Sequence, residues 1–414
     1  MSAGRLWRRF AAWVVVVMLL IPSIIPAGTT PFTFINVGAR GADFDSDGRV
    51  GFADFLLFVA NYNIISPDPR YDSRYDLDSD GAVGFGDFLT FSAVFGKKAA
   101  QPAATDSDDT LFQVYVVDPP DNSIVGFDYT SHLITDYMPF RGPTALRVSE
   151  DQESIFVSEV FGFFVLNNDH TVRFSVPTSS AGRIAISPDG ATAYVTEQFL
   201  GRVLVIDLAA QMAVDTLALD SPPSEISLSA DGQILYVGSQ LRRDITVVST
   251  DPLQVVESVQ TGFTPGEILA SPDGSRIYVS HLDDGSLAIL DGQTHQLTGT
   301  IQLSAQSSLG LAFSPDAGIL YITASASIMA LDTQTNLMLN TLVLGDATST
   351  LGVAPDGRRA YVGTLAIDEG GTGITVVDLE TFSVLGRMRG FQFPVQIGFR
   401  RLGGAAAKPL AYFR

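Results

Sequence analysis

The chain is 414 residues long, enough for two or three domains. Its 25 Lys and Arg stand against 45 Asp and Glu, and the resulting formal charge of −20 argues against nucleic acid or anionic lipid as a partner, since both need a basic footprint. Hydrophobic residues make up 46% and charged ones 17%, which excludes global disorder; the lack of any cysteine excludes disulfides, thiolate zinc sites, iron–sulfur clusters and a cysteine nucleophile.

Arg5, Arg8 and Arg9 precede an apolar run over residues 10–21, which Pro22 interrupts before the small residues Ala27 and Gly28. This pattern predicts a secretory signal peptide over residues 1–27, cleaved near Ala27. The alternative is an uncleaved anchor, which needs roughly 18–20 apolar residues; Pro22 and Pro26 spoil that extension. Without residues 1–27 the chain holds 22 basic and 45 acidic residues, a formal −23, and no other segment suited to span a bilayer. Export is the expectation: secreted, periplasmic or on the cell surface.

Residues 28–96 are expected to form a small helical module, because one motif occurs twice within them at an offset of 33. The first copy places Asp43, Asp45, Asp47 and Asp54 at positions 1, 3, 5 and 12 of a twelve-residue loop; the second places Asp76, Asp78, Asp80 and Asp87 there. Carboxylates at those positions are the hard oxygen donors that Ca²⁺ takes in an EF-hand loop, with Gly48 or Gly81 at position 6 for the sharp turn. Position 7, Arg49 or Ala82, would contribute its backbone carbonyl, and water would stand in at position 9, which is Gly in both copies. Two calcium ions are therefore expected. Asp at position 12, shorter than the usual Glu, points to weak affinity, ~10⁻⁴–10⁻³ M. Phe52, Phe55, Leu56 and Val59, and likewise Phe85, Phe88 and Leu89, have helical spacing, so a helix should follow each loop and the two apolar faces should pack together.

Tandem loops of this kind, each followed by one helix, resemble the type I dockerin module and its bacterial EF-hand relatives over about 60 residues. That resemblance implies calcium-dependent docking to a cohesin through small hydroxyl residues at loop positions 10 and 11. Here those positions are Phe52-Ala53 and Phe85-Gly86, so the calcium ligands carry over and the cohesin contacts do not. A calcium-stiffened spacer and a different docking module both stay open.

Residues 97–110 are small, polar and low in complexity, an expected linker. Beyond them a repeat dominates. Ser187-Pro-Asp189-Gly190 returns at Ser229, Ser271, Ser314 and Ala354, spaced 42, 42, 43 and 40 residues apart, with a degenerate copy at Ser149. Period-2 apolar segments flank each copy, with an aromatic centred in the strand that follows: Phe156, Tyr194, Tyr236, Tyr278, Tyr321, Tyr361. Four short strands per roughly 40 residues define a β-propeller blade, and Ser-Pro-Asp-Gly should close the hairpin between its first two strands. Six copies give six blades. Residues 111–117 and 124–129 lack a first strand, and residues 394–399 supply one, so the ends should join three-plus-one into a seventh blade that leaves no open edge. The fold class is thus mainly β, a seven-bladed propeller over residues 111–401, with the EF-hand module before it and an uninterpreted tail, 402–414, after it.

Ser271-Pro-Asp-Gly-Ser-Arg-Ile-Tyr278-Val-Ser, with third strands such as Val203-Leu-Val-Ile-Asp207, resembles the YVTN family of propeller repeats over nearly all of residues 111–400. The resemblance implies the fold and little chemistry, because one propeller hosts many functions.

Loops joining second to third strands, and blade to blade, should crowd one face. The former begin with Asp118, Glu159, Glu197, Gln240, His281, Ser325 and Leu365; four residues before each repeat copy, Ala145, Arg183, Glu225, Glu267, Gly310 and Thr350 should line the channel, with Gln396 from the closing strand. Asp118, Glu159, Glu197, Glu225, Glu267 and His281 are the candidate ligand face, an acidic mouth suited to a cation, amine or sugar, or else a solvated rim. His132, His170 and His295 lack metal-ligand spacing and are expected in strands or turns. The expected function is an exported, calcium-binding, non-catalytic recognition protein, a monomer whose partner is an envelope or extracellular protein or glycan. A lactonase-like hydrolase at the same mouth and a structural envelope protein are the alternatives.

Overall fold

The computed structural model describes residues 33–35, 42, 44, 45, 50–65, 68, 70–72, 74–77, 82–95, 111–303, 307–365 and 372–402. The signal segment, the linker, the tail beyond Leu402, and Asp43, Asp47, Arg49, Asp78 and Asp80 lie outside those residues. Among the described residues no helix is long and apolar enough to cross a membrane.

Residues 111–402 form seven four-stranded antiparallel blades in a propeller ring. Blade 1 joins Leu111–Asp118, Ser123–Asp128 and Ile134–Pro139 to the C-terminal strand Gln396–Leu402, so the three-plus-one closure is as expected; Val114 pairs with Phe399 and Val117 with Gln396. Blades 2 to 7 follow in chain order over residues 143–177, 181–218, 225–260, 265–302, 308–343 and 347–389, each running from the inner strand at the axis to an outer strand at the rim. Adjacent inner strands touch all the way round.

The burial pattern follows from that order. Second and third strands lie between neighbouring blades, so both their faces are covered and their central residues are buried without alternation, as in Thr192–Glu197 and Arg202–Asp207. Outer strands such as Met212–Ala218 face water and are mostly exposed. The core is therefore a set of seams between blades: Tyr115 and Val117 of blade 1 pack with Leu146 and Val157 of blade 2.

Each repeat copy closes a first hairpin as expected. In blade 5 the Ser271 amide donates to the Arg276 carbonyl (2.8 Å), Ser271 Oγ donates to Asp273 Oδ1 (2.6 Å), and Asp273 Oδ1 accepts the Ser275 amide (3.0 Å). Gly274 sits at φ +69°, the left-handed region that a Cβ disfavours. The aspartates that end third strands build the next hairpin: Asp291 Oδ1 accepts the amides of Gln293 (3.0 Å) and Thr294 (2.7 Å), and His295 follows at φ +55°. His132 (+57°) and His170 (+64°) also sit in turns at positive φ, in line with the sequence reading.

Two features were not anticipated. In every blade the third and fourth strands slip register by one residue, as between Val205 and Ile206, which increases local twist. Residues 33–35, assigned from sequence to the small module, pair instead with the outer strand of blade 7, Thr33 opposite Arg389 and Ile35 opposite Arg387.

Two ten-residue helices, α1 (Phe52–Asn61) and α2 (Phe85–Val94), follow the two acidic loops. They pack together through Phe58 and Phe91, both buried, with ring centroids 5.5 Å apart. The buried face is rotated from the one read in sequence. Phe55 and Phe88 take part, while Phe52, Leu56, Val59 and Phe85 are exposed, because the buried positions are fixed by Asp54 and Asp87, which turn inward.

Candidate functional site

The two acidic loops share one closing device. Asp54 is fully buried; its Oδ2 accepts the amide of Gly51, which caps α1 (2.7 Å), and its Oδ1 accepts the Asp45 amide (3.1 Å). Asp87 is equally buried, accepting the Gly84 amide (2.6 Å) and, on Oδ1, the Leu77 amide. In each loop the carboxylate at position 12 thus reaches back to backbone near the loop start. Asp76 is buried and accepts the Tyr71 hydroxyl; Ala82 bridges to Ile65.

The second place is the propeller axis, where a cavity of about 270 Å³ is lined by inner-strand residues. Arg183, Glu225, Glu267, Thr350 and Gln396 line it, as expected from their place four residues before a repeat copy. Ala145 and Gly310 do not. Ala145 is buried in the seam against blade 3, and a Cβ on Gly310 would lie 2.8 Å from Leu351 Cβ, so that glycine exists for the approach of blade 7. Sequence reasoning missed Arg147, which does line the cavity. It lies two residues before the copy at Ser149, a position that Leu269 and Gly352 also bring to the cavity in their blades, whereas the sequence reading took only the position four before each copy.

Arg183 Nε lies 3.0 Å from Glu225 Oε1. Thr196 Oγ1 accepts the Arg183 amide (2.8 Å), which holds the strand that presents the guanidinium. Glu267 Oε2 accepts the Leu311 amide of blade 6 (2.8 Å), and Ser280 Oγ accepts the Glu267 amide (2.8 Å). Burial, then the charge of Glu225, pushes Glu267 up to about 7. Burial also raises Glu225, against the pull of Arg183, and Glu225 in turn raises Arg183. Burial draws Arg147 below its ordinary value.

The expected acidic mouth needs correction. Asp118, Glu159, Glu197 and His281 are buried, not presented as a patch. Glu159 Oε2 accepts the Arg141 amide (2.7 Å), Glu197 Oε1 accepts the Ser179 amide (2.9 Å), and Asp118 accepts the amides of Gln392 (2.6 Å) and Phe393 (2.8 Å). Each carboxylate at the end of a second strand clasps the segment that leads into an inner strand. Arg202 Nε caps Glu197 at 2.5 Å. His281 Nδ1 bonds Ser286 Oγ (2.7 Å), and burial lowers its pKa. Glu225 and Glu267 remain at the axis, balanced by two arginines.

Fold and axial site together define a seven-bladed β-propeller protein. No protein-family model matches the chain and no curated protein does. Among solved structures it is similar to Kuenenia stuttgartiensis hydrazine synthase, at 19% identity over 61% of this chain and 80% of that one, TM-score 0.52. It is also similar to a chain of the mitotic checkpoint complex, at 14% identity over 60% and 80%, TM-score 0.53. At such identities the likeness speaks for the propeller fold alone.

Proposed function

We propose that the chain is an exported, calcium-binding, non-catalytic recognition protein, with YVTN-like blades as the binding platform and a dockerin-like EF-hand pair as docking or spacer module. What carries the platform reading is the division of charge at the ring. The rim carboxylates are engaged in backbone clasps, while Arg147, Arg183, Glu225 and Glu267 line an axial cavity. The calcium reading is supported by the doubled Asp pattern and by the matching loop closures of Asp54 and Asp87. A lactonase-like hydrolase is the second reading. The arginines favour it by supplying the cationic contacts that an anionic lactone would need.

Calorimetry of the full chain should give two Ca²⁺ ions with Kd ~10⁻⁴–10⁻³ M. Asp45→Ala with Asp78→Ala should abolish both, and unchanged heats would remove calcium from the function. A pull-down from envelope and secreted fractions then tests the rest. Capture by the full chain that chelator abolishes makes the helix pair the docking device. Capture that survives chelator but fails in Glu267→Gln assigns recognition to the axis. Capture of nothing, together with turnover of a lactone panel, replaces this reading by the hydrolase.

A further inference from the structure

The four axial charges divide unequally. Arg183 and Glu225 neutralise each other at 3.0 Å. Arg147 lines the cavity and, among the described residues, donates only to the Leu146 carbonyl (3.1 Å) and forms no ion pair, which leaves four of its five donors without a protein acceptor there. Glu267, also in the lining, accepts the Leu311 amide on Oε2, and among the described residues Oε1 accepts no hydrogen bond. One guanidinium fork and one carboxylate oxygen are thus open in a space whose net formal charge is zero. A simple anion there meets Glu225 and Glu267; a simple cation meets Arg147 and Arg183. A molecule carrying both charges satisfies both groups, and Leu269 and Leu351 add apolar lining to the same cavity.

We propose that the axial cavity binds a small apolar amino-carboxylic zwitterion, with its carboxylate on Arg147 and its ammonium on Glu267. The assignment rests on the platform reading above. It also couples binding to a proton. Glu267, faced by Arg147, Arg183 and Glu225, is half-protonated near pH 7 and must ionise to hold an ammonium.

The test is calorimetry of the full chain against L-leucine, isoamylamine (the amine alone) and 4-methylpentanoate (the carboxylate alone). L-leucine should bind at least tenfold more tightly than either analogue, and about tenfold more weakly at pH 6 than at pH 8. Glu267→Gln preserves an acceptor for the Leu311 amide and should abolish the pH step with the binding. Arg147→Gln should make L-leucine and isoamylamine equivalent. Thermal unfolding of each variant establishes that it is folded. An analogue that binds as tightly as L-leucine, or full binding by both folded variants, overturns the proposal. If L-leucine gives no heat while the same preparation captures a partner, the zwitterion assignment falls and the platform reading stands; if both fail, both fall.

Discussion

Gly274 and Gly299 show how one substitution takes opposite signs within a single blade. Gly274 occupies the left-handed turn of the first hairpin at φ +69°, with open space around the missing Cβ. Any cost of Gly274→Ala is therefore backbone strain, about 1–2 kcal/mol. Gly299 lies in the exposed outer strand Leu297–Gln302, also with nothing near a Cβ, and has no positive φ. There alanine should stabilise by about 0.5 kcal/mol by restricting the unfolded chain. Denaturant midpoints of the two variants should move in opposite directions. Ala317 and Gln152 occupy the same turn position at φ +56° and +65°, so two of the six copies carry this strain natively. The turn chemistry was legible in sequence because Ser, Asp and Gly act within five residues of each other.

At the scale of the blade, the second-strand carboxylates act as clasps. Glu197 is fully buried and holds both the Ser179 amide and Arg202. Glu197→Ala leaves the Ser179 amide and the part-exposed Arg202 guanidinium without their acceptor and should cost about 2 kcal/mol. Glu197→Gln retains one acceptor and should cost about half as much. Chemical denaturation checks both, and equal losses would argue against the clasp. From sequence these residues looked like an open acidic mouth, because strand periodicity gives position along a blade but not what the preceding loop brings to it. The helix faces erred for a related reason. The apolar spacing fits two stripes of α1, and only the inward turn of Asp54 selects Phe58 over Phe52.

For the whole molecule, the ring makes stability depend on closure and on pH. Removing residues 396–402 would strip blade 1 of its inner strand and expose the edge of Leu111–Asp118, so the truncated chain should aggregate; a soluble, cooperatively unfolding product would contradict the closure. Burial pushes Asp118 up to about 6, against its two amide donors, and Glu267 up to about 7. Both bind protons more tightly folded than unfolded, so their ionisation removes stability as pH rises from about 4 to 7. The hairpin carboxylates run the other way. The Ser187 hydroxyl holds Asp189 low, and the Thr294 and Thr335 amides do the same for Asp291 and Asp332. Their contribution is complete above about pH 4 and is lost as pH falls through their lowered values. Melting temperature should therefore peak at mildly acidic pH, and Glu267→Gln should flatten the limb above pH 5.

The sequence by itself determined the repeat, the number of blades, the three-plus-one closure and the hairpin at each Ser-x-Asp copy, because hydrophobic period and turn chemistry act between near neighbours. It also placed Arg183, Glu225 and Glu267 at the axis, whereas only the tertiary structure decided how those charges pair, that Arg147 joins them and which rim carboxylates are sequestered. Arg183 meets Glu225 from 42 residues away, Glu267 meets Leu311 from 44, and Asp118 meets Gln392 from 274. The first two partners come from the neighbouring blade and the third from the segment that enters the closing strand, and all three meetings are set by closing the ring.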